Sequence, residues 1–221
     1  CLSAALAVVW IVTAQTPPDV RFGVTIPYFH SLLNLGWFYL PFAMVVIAGT
    51  SNAVNLSDGL DGLAGGLSLI AFSAFALIAF VTGIPVMNTV SGVFIPGTVE
   101  VAIICSAAAG ACLGFLWFNC APAKVFMGDT GSLALGALLG TVAVMTRHEI
   151  LLAVIGAVFV AEALSVMIQV FWYKRTKTRI FLMAPIHHHF EQKGWKETTV
   201  VVRFWIIAIV AATIGLSSLL F

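Results

Sequence analysis

The sequence predicts an all-α, polytopic membrane protein, and three observations carry that prediction. Of its 221 residues, 61% are hydrophobic and only 9% are charged, whereas an ordinary soluble domain is roughly 45–50% apolar. Mean hydropathy is +1.09. Apolar stretches near the roughly 20 residues that a bilayer crossing needs recur at 1–13, 37–54, 64–82, 100–118, 132–146, 150–172 and 200–220. That makes about seven spans, the first of them partial.

The chain opens at Cys1 inside an apolar run, with no initiator Met and no basic segment followed by a small-residue cleavage site. It reads as a fragment that lacks its N-terminal part. Between the fifth and sixth spans stand only Arg147, His148 and Glu149, three polar residues in a row that fit a tight hairpin at the membrane surface. If the chain crosses at each span, the loops near 55–63, 119–131 and 173–199 share one side. They hold Lys124, Lys174, Arg175, Lys177, Arg179, Lys193 and Lys196, against Arg21 and Arg147 in the loops of the other side. The positive-inside rule makes the first set cytoplasmic. A net charge of +1 gives no basic excess for nucleic acid. The four cysteines, Cys1, Cys105, Cys112 and Cys120, form no CxxC pair and read as small core hydrophobes.

Three polar clusters fall in the cytoplasmic loops. The first runs from Asn52 through Asn55, Asp58 and Asp61 to Gly62, at the lip of a span. Steps of three drift by about 60° on an α-helix, so an unbroken helix would leave Asn52 and Asp61 on opposite faces. Gly59 and Gly62 predict that the helix breaks here and the turn gathers the polar groups. An Asx turn explains one Asp-Gly step; two Asp and two Asn at membrane depth point to function.

The second cluster, Phe126-Met-Gly-Asp129-Thr-Gly-Ser132, follows Asn119 and Lys124. Glycines beside an Asp let backbone N–H groups approach a phosphate while the carboxylate takes a divalent ion. The structural alternative is a helix N-cap by Asp129, Thr130 or Ser132. No Gly-Lys-Ser/Thr follows, so this is not a nucleotide-hydrolysing P-loop.

The third cluster is Pro185-Ile-His187-His188-His189-Phe-Glu191. Adjacent side chains diverge by about 100° on a helix, so the three imidazoles do not suit one metal, and one or two reaching a phosphate or sugar fits better. Within the sixth span Glu162, Ser165 and Gln169 share a helical face, for helix-to-helix hydrogen bonding or, at Gln169, for bordering the same pocket. A transporter would also show Glu162 and Gln169, but its polar groups would cluster near the bilayer midplane. Carboxylates, amides and histidines on one membrane face, without a Cys nucleophile, instead resemble a divalent-metal phosphoryl site.

The strings Asn52-Ala-Val-Asn-Leu-Ser-Asp-Gly-Leu-Asp-Gly62, Phe115-Leu-Trp-Phe-Asn119, Val125-Phe-Met-Gly-Asp-Thr-Gly-Ser-Leu-Ala-Leu-Gly136, Met183-Ala-Pro-Ile-His-His-His-Phe-Glu191 and Val202-Arg-Phe-Trp-Ile206 together resemble the bacterial phospho-N-acetylmuramoyl-pentapeptide transferase family. The first and third of these strings are shared with the wider polyprenyl-phosphate N-acetylhexosamine-1-phosphate transferases of glycosyltransferase 4 type. The triple-His loop narrows the resemblance. It implies transfer of phospho-MurNAc-pentapeptide from UDP-MurNAc-pentapeptide to undecaprenyl phosphate, giving lipid I and UMP with Mg²⁺, at the cytoplasmic face of the bacterial inner membrane. The alternative is a UDP-GlcNAc-dependent transferase for another surface polymer.

By the same resemblance Asp58, Asp61, Asn55 and His188 would be catalytic. Gly59, Leu60, Asn119, Phe126, Gln169, His188 and His189 would bind the nucleotide-sugar, and Asp129 with Asn52 would hold the metal. The family also carries an adjacent Asp-Asp pair on an earlier cytoplasmic loop and ten spans. No two acidic residues are adjacent here, so this polypeptide alone is expected to be inactive. The sequence sets no oligomeric state, and a homodimer is the assembly to test.

Overall fold

The computed structural model describes residues 2–29, 31–87 and 93–219. Its helices are α1 (Leu2–Gln15), α2 (Tyr39–Leu56), α3 (Leu63–Thr82), α4 (Thr98–Asn119), α5 (Gly128–Thr146), α6 (Glu149–Ile155), α7 (Ala157–Thr176), α8 (Ile186–Gln192) and α9 (Glu197–Ser217). Among the described residues six segments are long and apolar enough to cross a membrane, those built on α2, α3, α4, α5, α7 and α9, and α1 is a shorter apolar helix. This is an all-α, multi-pass membrane protein, with the expected span order.

Apolar side chains lie on both surfaces of the helices because the solvent is lipid. Ile103, Trp117, Met167 and Ile206 are exposed, while Phe72, Phe75, Ile78 and Leu139 are sealed in the core. With no hydrophobic drive between helices in lipid, close backbone approach supplies much of the packing. Helix α5 shows this against α2. A Cβ on Gly136 would stand 2.6 Å from the Thr50 carbonyl oxygen, and one on Gly140 would stand 2.8 Å from Ile47 Cα. The Ser51 hydroxyl crosses the same seam to the Leu133 carbonyl at 2.9 Å. Helices α3 and α4 form the second tight pair, closed by Phe75, Cys105 and Cys112. Those two cysteines are the expected small core hydrophobes, whereas Cys120 is exposed; Cys1 lies outside the described residues.

Three departures from the sequence reading have clear causes. The loop near 14–36 contains a short antiparallel hairpin, β1 (Gly23–Ile26) against β2 (Ser31–Asn34). The segment 150–172 is not one helix: α6 and α7 meet at Gly156, where the ladder bonds Gly156 N–H to Leu152 and Val160 N–H to Gly156 survive the bend. Arg147, His148 and Glu149 do make the expected turn, with Arg147 at φ +59°, but their side chains are buried, not displayed at a surface. Arg147 donates to the Tyr39 hydroxyl and, at 2.9 Å, to that of Thr16, and Tyr39 donates to Glu149 at 2.5 Å. Buried polar groups need such partners.

Candidate active site

Alternation of the helices brings the C-terminal ends of α2, α4 and α7 and the N-terminal ends of α3, α5 and α9 to one end of the bundle. The polar turns meet there. Helix α2 stops at Leu56, and α3 begins only after Gly62, whose φ of +79° is comfortable for glycine alone. Inside that turn Asp61 is fixed twice: its carboxylate accepts the Ala123 N–H at 2.8 Å, and its own N–H donates to Glu197 at 2.8 Å. The Asn119 side chain accepts the Gly62 N–H at 3.0 Å and donates to the Val125 carbonyl at 2.8 Å, tying the two site loops together.

A cavity of about 210 Å³ opens between these loops, lined by Asp58, Leu60, Asp61, Asn119, Phe126 and Asp129, with Gly59 and Gly128 in its wall. Seven of the residues singled out from sequence therefore share one space. Asn55 stands beside them and donates to Asp129 Oδ1 and Ser132 Oγ, both at 2.9 Å. The N-cap alternative for Asp129 and Ser132 does not hold: both lie inside α5, which starts at Gly128, and Met127 in the cap position makes no side-chain cap bond. Phe126 is 74% exposed, leaving a free aromatic face at the cavity rim.

Burial pushes the Asp58 carboxyl above the usual aspartate range, the facing Asp129 adds to the rise, and a bond from the Gly128 N–H opposes it. No Lys or Arg pairs with either carboxylate among the described residues, where the only ion pairs are His187 with Glu162 and His188 with Glu191. A half-buried carboxylate, Asp58, facing an exposed one, Asp129, with no Lys or Arg paired to either among the described residues, suits a hard divalent cation that keeps waters and takes phosphate oxygens. No group of three His, Cys, Asp or Glu converges among the described residues, as a zinc site would require.

Other expected residues fall elsewhere. The Asn52 amide turns back to the Ala48 carbonyl at 2.7 Å and is exposed, outside the cavity lining. Gln169 lines a separate cavity of about 500 Å³ with Lys174 and Arg179. Its carboxamide is spent on backbone, donating to the Phe181 carbonyl and accepting the Ile180 and Phe181 N–H groups, each at 3.0 Å. His189 accepts the Leu182 N–H at 3.1 Å, and His188 pairs with Glu191 at 2.5 Å.

Sequence reasoning missed His187 and Glu197. The first is buried against Gly59 and Glu162; an acidic residue isolated in an apolar span was the available signal for its partner. Glu197 caps the Asp61 turn from the first residue of α9, and nothing in its local sequence marks it.

Fold and site together define an integral membrane protein whose helices present a carboxylate and carboxamide site at one end of the bundle. The chain matches the glycosyl transferase family 4 model over residues 1–147 and belongs to that family. It is 55% identical, over 223 aligned positions, to the phospho-N-acetylmuramoyl-pentapeptide-transferase of Phenylobacterium zucineum (strain HLK1), an alignment covering 99% of this chain and 60% of the relative. The chain thus spans about 60% of the length of that curated relative.

Proposed function

We propose that this chain carries the site that transfers phospho-MurNAc-pentapeptide from UDP-MurNAc-pentapeptide to undecaprenyl phosphate, releasing UMP and forming lipid I on the cytoplasmic face of the bacterial inner membrane. The observation that carries the reading is the convergence of Asp58 and Asp129, with no Lys or Arg paired to either among the described residues, at one end of an apolar bundle. The sugar and peptide are those of the phospho-N-acetylmuramoyl-pentapeptide-transferase relative.

In the reaction an oxygen of the lipid phosphate attacks the β-phosphorus of the donor, the bond from that phosphorus to the bridging oxygen breaks, and UMP leaves with the electron pair. Mg²⁺, held by Asp129 and Asp58, would neutralise charge on the pyrophosphate. Asn55 orients Asp129. Asn119 keeps the Gly62 and Val125 loops at a fixed separation, and Phe126 offers its open face to the uracil. An apolar groove of about 240 Å³ between α2 and α6–α7, lined by Val45, Gly49, Phe159, Leu164 and Met167, has room for part of the prenyl chain. Histidines 188 and 189 would meet the sugar side of the donor.

The test is UMP release in membranes carrying the full-length protein, with undecaprenyl phosphate and either UDP-MurNAc-pentapeptide or UDP-GlcNAc. Mg²⁺-dependent release from the muramoyl donor is the expected result. Release from UDP-GlcNAc alone would move the assignment to an N-acetylglucosamine-1-phosphate transferase.

A further inference from the structure

Glu162 lies in the interior of α7 with no exposure, and His187 on α8 is equally sealed. The carboxylate Oε2 and the imidazole Nδ1 are 3.1 Å apart, within ion-pair distance but not aligned as a hydrogen bond, and neither side chain reaches any hydrogen-bond partner. A buried carboxylate in an apolar helix is costly unless it is paired, so the pair is kept for what it holds. The other face of the ring answers that. A Cβ built on Gly59 would collide with His187 Nε2, so the imidazole is seated directly against the turn that carries Asp58 and Asp61. The His188 ring packs on it, with centroids 4.1 Å apart.

We propose that Glu162 and His187 form a buried positioning pair that sets the Asp58–Asp61 turn for phosphoryl transfer. Its catalytic half rests on the function proposed above. Glu162 fixes the ring, the ring fixes Gly59, and Gly59 is the neighbour of Asp58. The absence of a side chain at position 59 is what allows the contact. Neither member touches the reacting atoms.

The experiment uses the full-length protein in lipid nanodiscs and the variants Glu162→Gln, His187→Asn, their combination, and the apolar pair Glu162→Met with His187→Leu. Each single change should lower kcat roughly 10- to 100-fold, the range seen when an outer-shell partner is lost. The KM for UDP-MurNAc-pentapeptide should stay within about threefold. The combined variant should be no slower than the slower single, since coupled residues are not additive. Amide hydrogen exchange should quicken in residues 57–62 and stay unchanged in the α3 core.

A buried ion pair can be replaced by apolar residues without loss of stability, so the Met/Leu pair keeps the test open if the single variants unfold. It should fold and remain slow. Recovery of turnover in that pair, or unaltered exchange at 57–62 in a folded variant, would overturn the proposal. Wild-type protein that releases no UMP from the muramoyl donor while the exchange effect persists would instead sink the substrate reading and the catalytic half with it.

Discussion

The amide of Asn55, on the last turn of α2, donates to Asp129 on the first turn of α5 at 2.9 Å and to Ser132 at the same distance. Residues 74 apart in the chain thus form one unit, and Asn55 decides which way the Asp129 carboxylate points. Asn55→Ala should lower kcat roughly 10- to 100-fold and raise the Mg²⁺ concentration for half-maximal rate, with little change in the thermal unfolding midpoint. A Mg²⁺ titration of UMP release checks this, and an unchanged half-maximal concentration would count against the orienting role.

Burial raises the Asp58 pKa, and repulsion from Asp129 across the cavity adds to the rise. Asp58→Asn removes one of the two charges. In the absence of Mg²⁺ the variant should unfold at the same temperature as wild type or slightly higher, while turnover falls by roughly 100-fold or more. Proton and cation compete for Asp58, so Mg²⁺ affinity should weaken as pH drops, beginning at a higher pH than an ordinary aspartate would give. Calorimetric Mg²⁺ binding between pH 4 and 8 in the presence of UMP reads both effects.

Gly140 lets α5 press its backbone on Ile47 of α2. Gly140→Val should push the helices apart and cost about 1–3 kcal/mol, as overpacking commonly does. Because Asn55 and Asp129 sit at the end of this seam, turnover should fall as well. Thermal unfolding in detergent alongside the UMP assay checks the pair of effects; loss of stability with full activity would show that the seam does not set the site.

At the opposite end of the bundle, burial lowers the His148 pKa to about 4, although its bond to the Thr146 carbonyl pulls upward. The unfolded chain therefore binds a proton that the folded one refuses between roughly pH 6.5 and 4. Stability should be complete above about pH 6.5 and fall as pH drops through that window, by on the order of 3 kcal/mol. His148→Gln should flatten this limb in unfolding curves taken from pH 4 to 7.5.

Hydropathy made the spans, their order and the placement of lysines legible, because lipid exposure imposes long apolar runs that no short-range detail disguises. The turn at Asp58 to Asp61 was legible too, since two glycines and a period-three polar pattern cannot continue a helix usefully. The hairpin at 23–34 was not, because four-residue strands such as Gly23-Val-Thr-Ile26 leave too few positions for alternation to register. Nor could the sequence tell which of three successive histidines turns inward. That depends on how α8 rolls against α7, and only His187 meets a carboxylate there. Nor does anything in the sequence mark the backbone of residues 180 and 181 as the partner of the Gln169 amide.

Glu162 and Gln169 are seven residues apart on α7, about two turns and roughly 10 Å along one face. One grips His187 and the other grips the Ile180–Phe181 backbone. The basic loop and its histidines are therefore fastened to a single membrane helix at two points, like a shelf on two brackets. Any change in the tilt of α7, including one imposed by a thinner or thicker bilayer, is delivered to the floor beneath Asp58 through its histidine bracket.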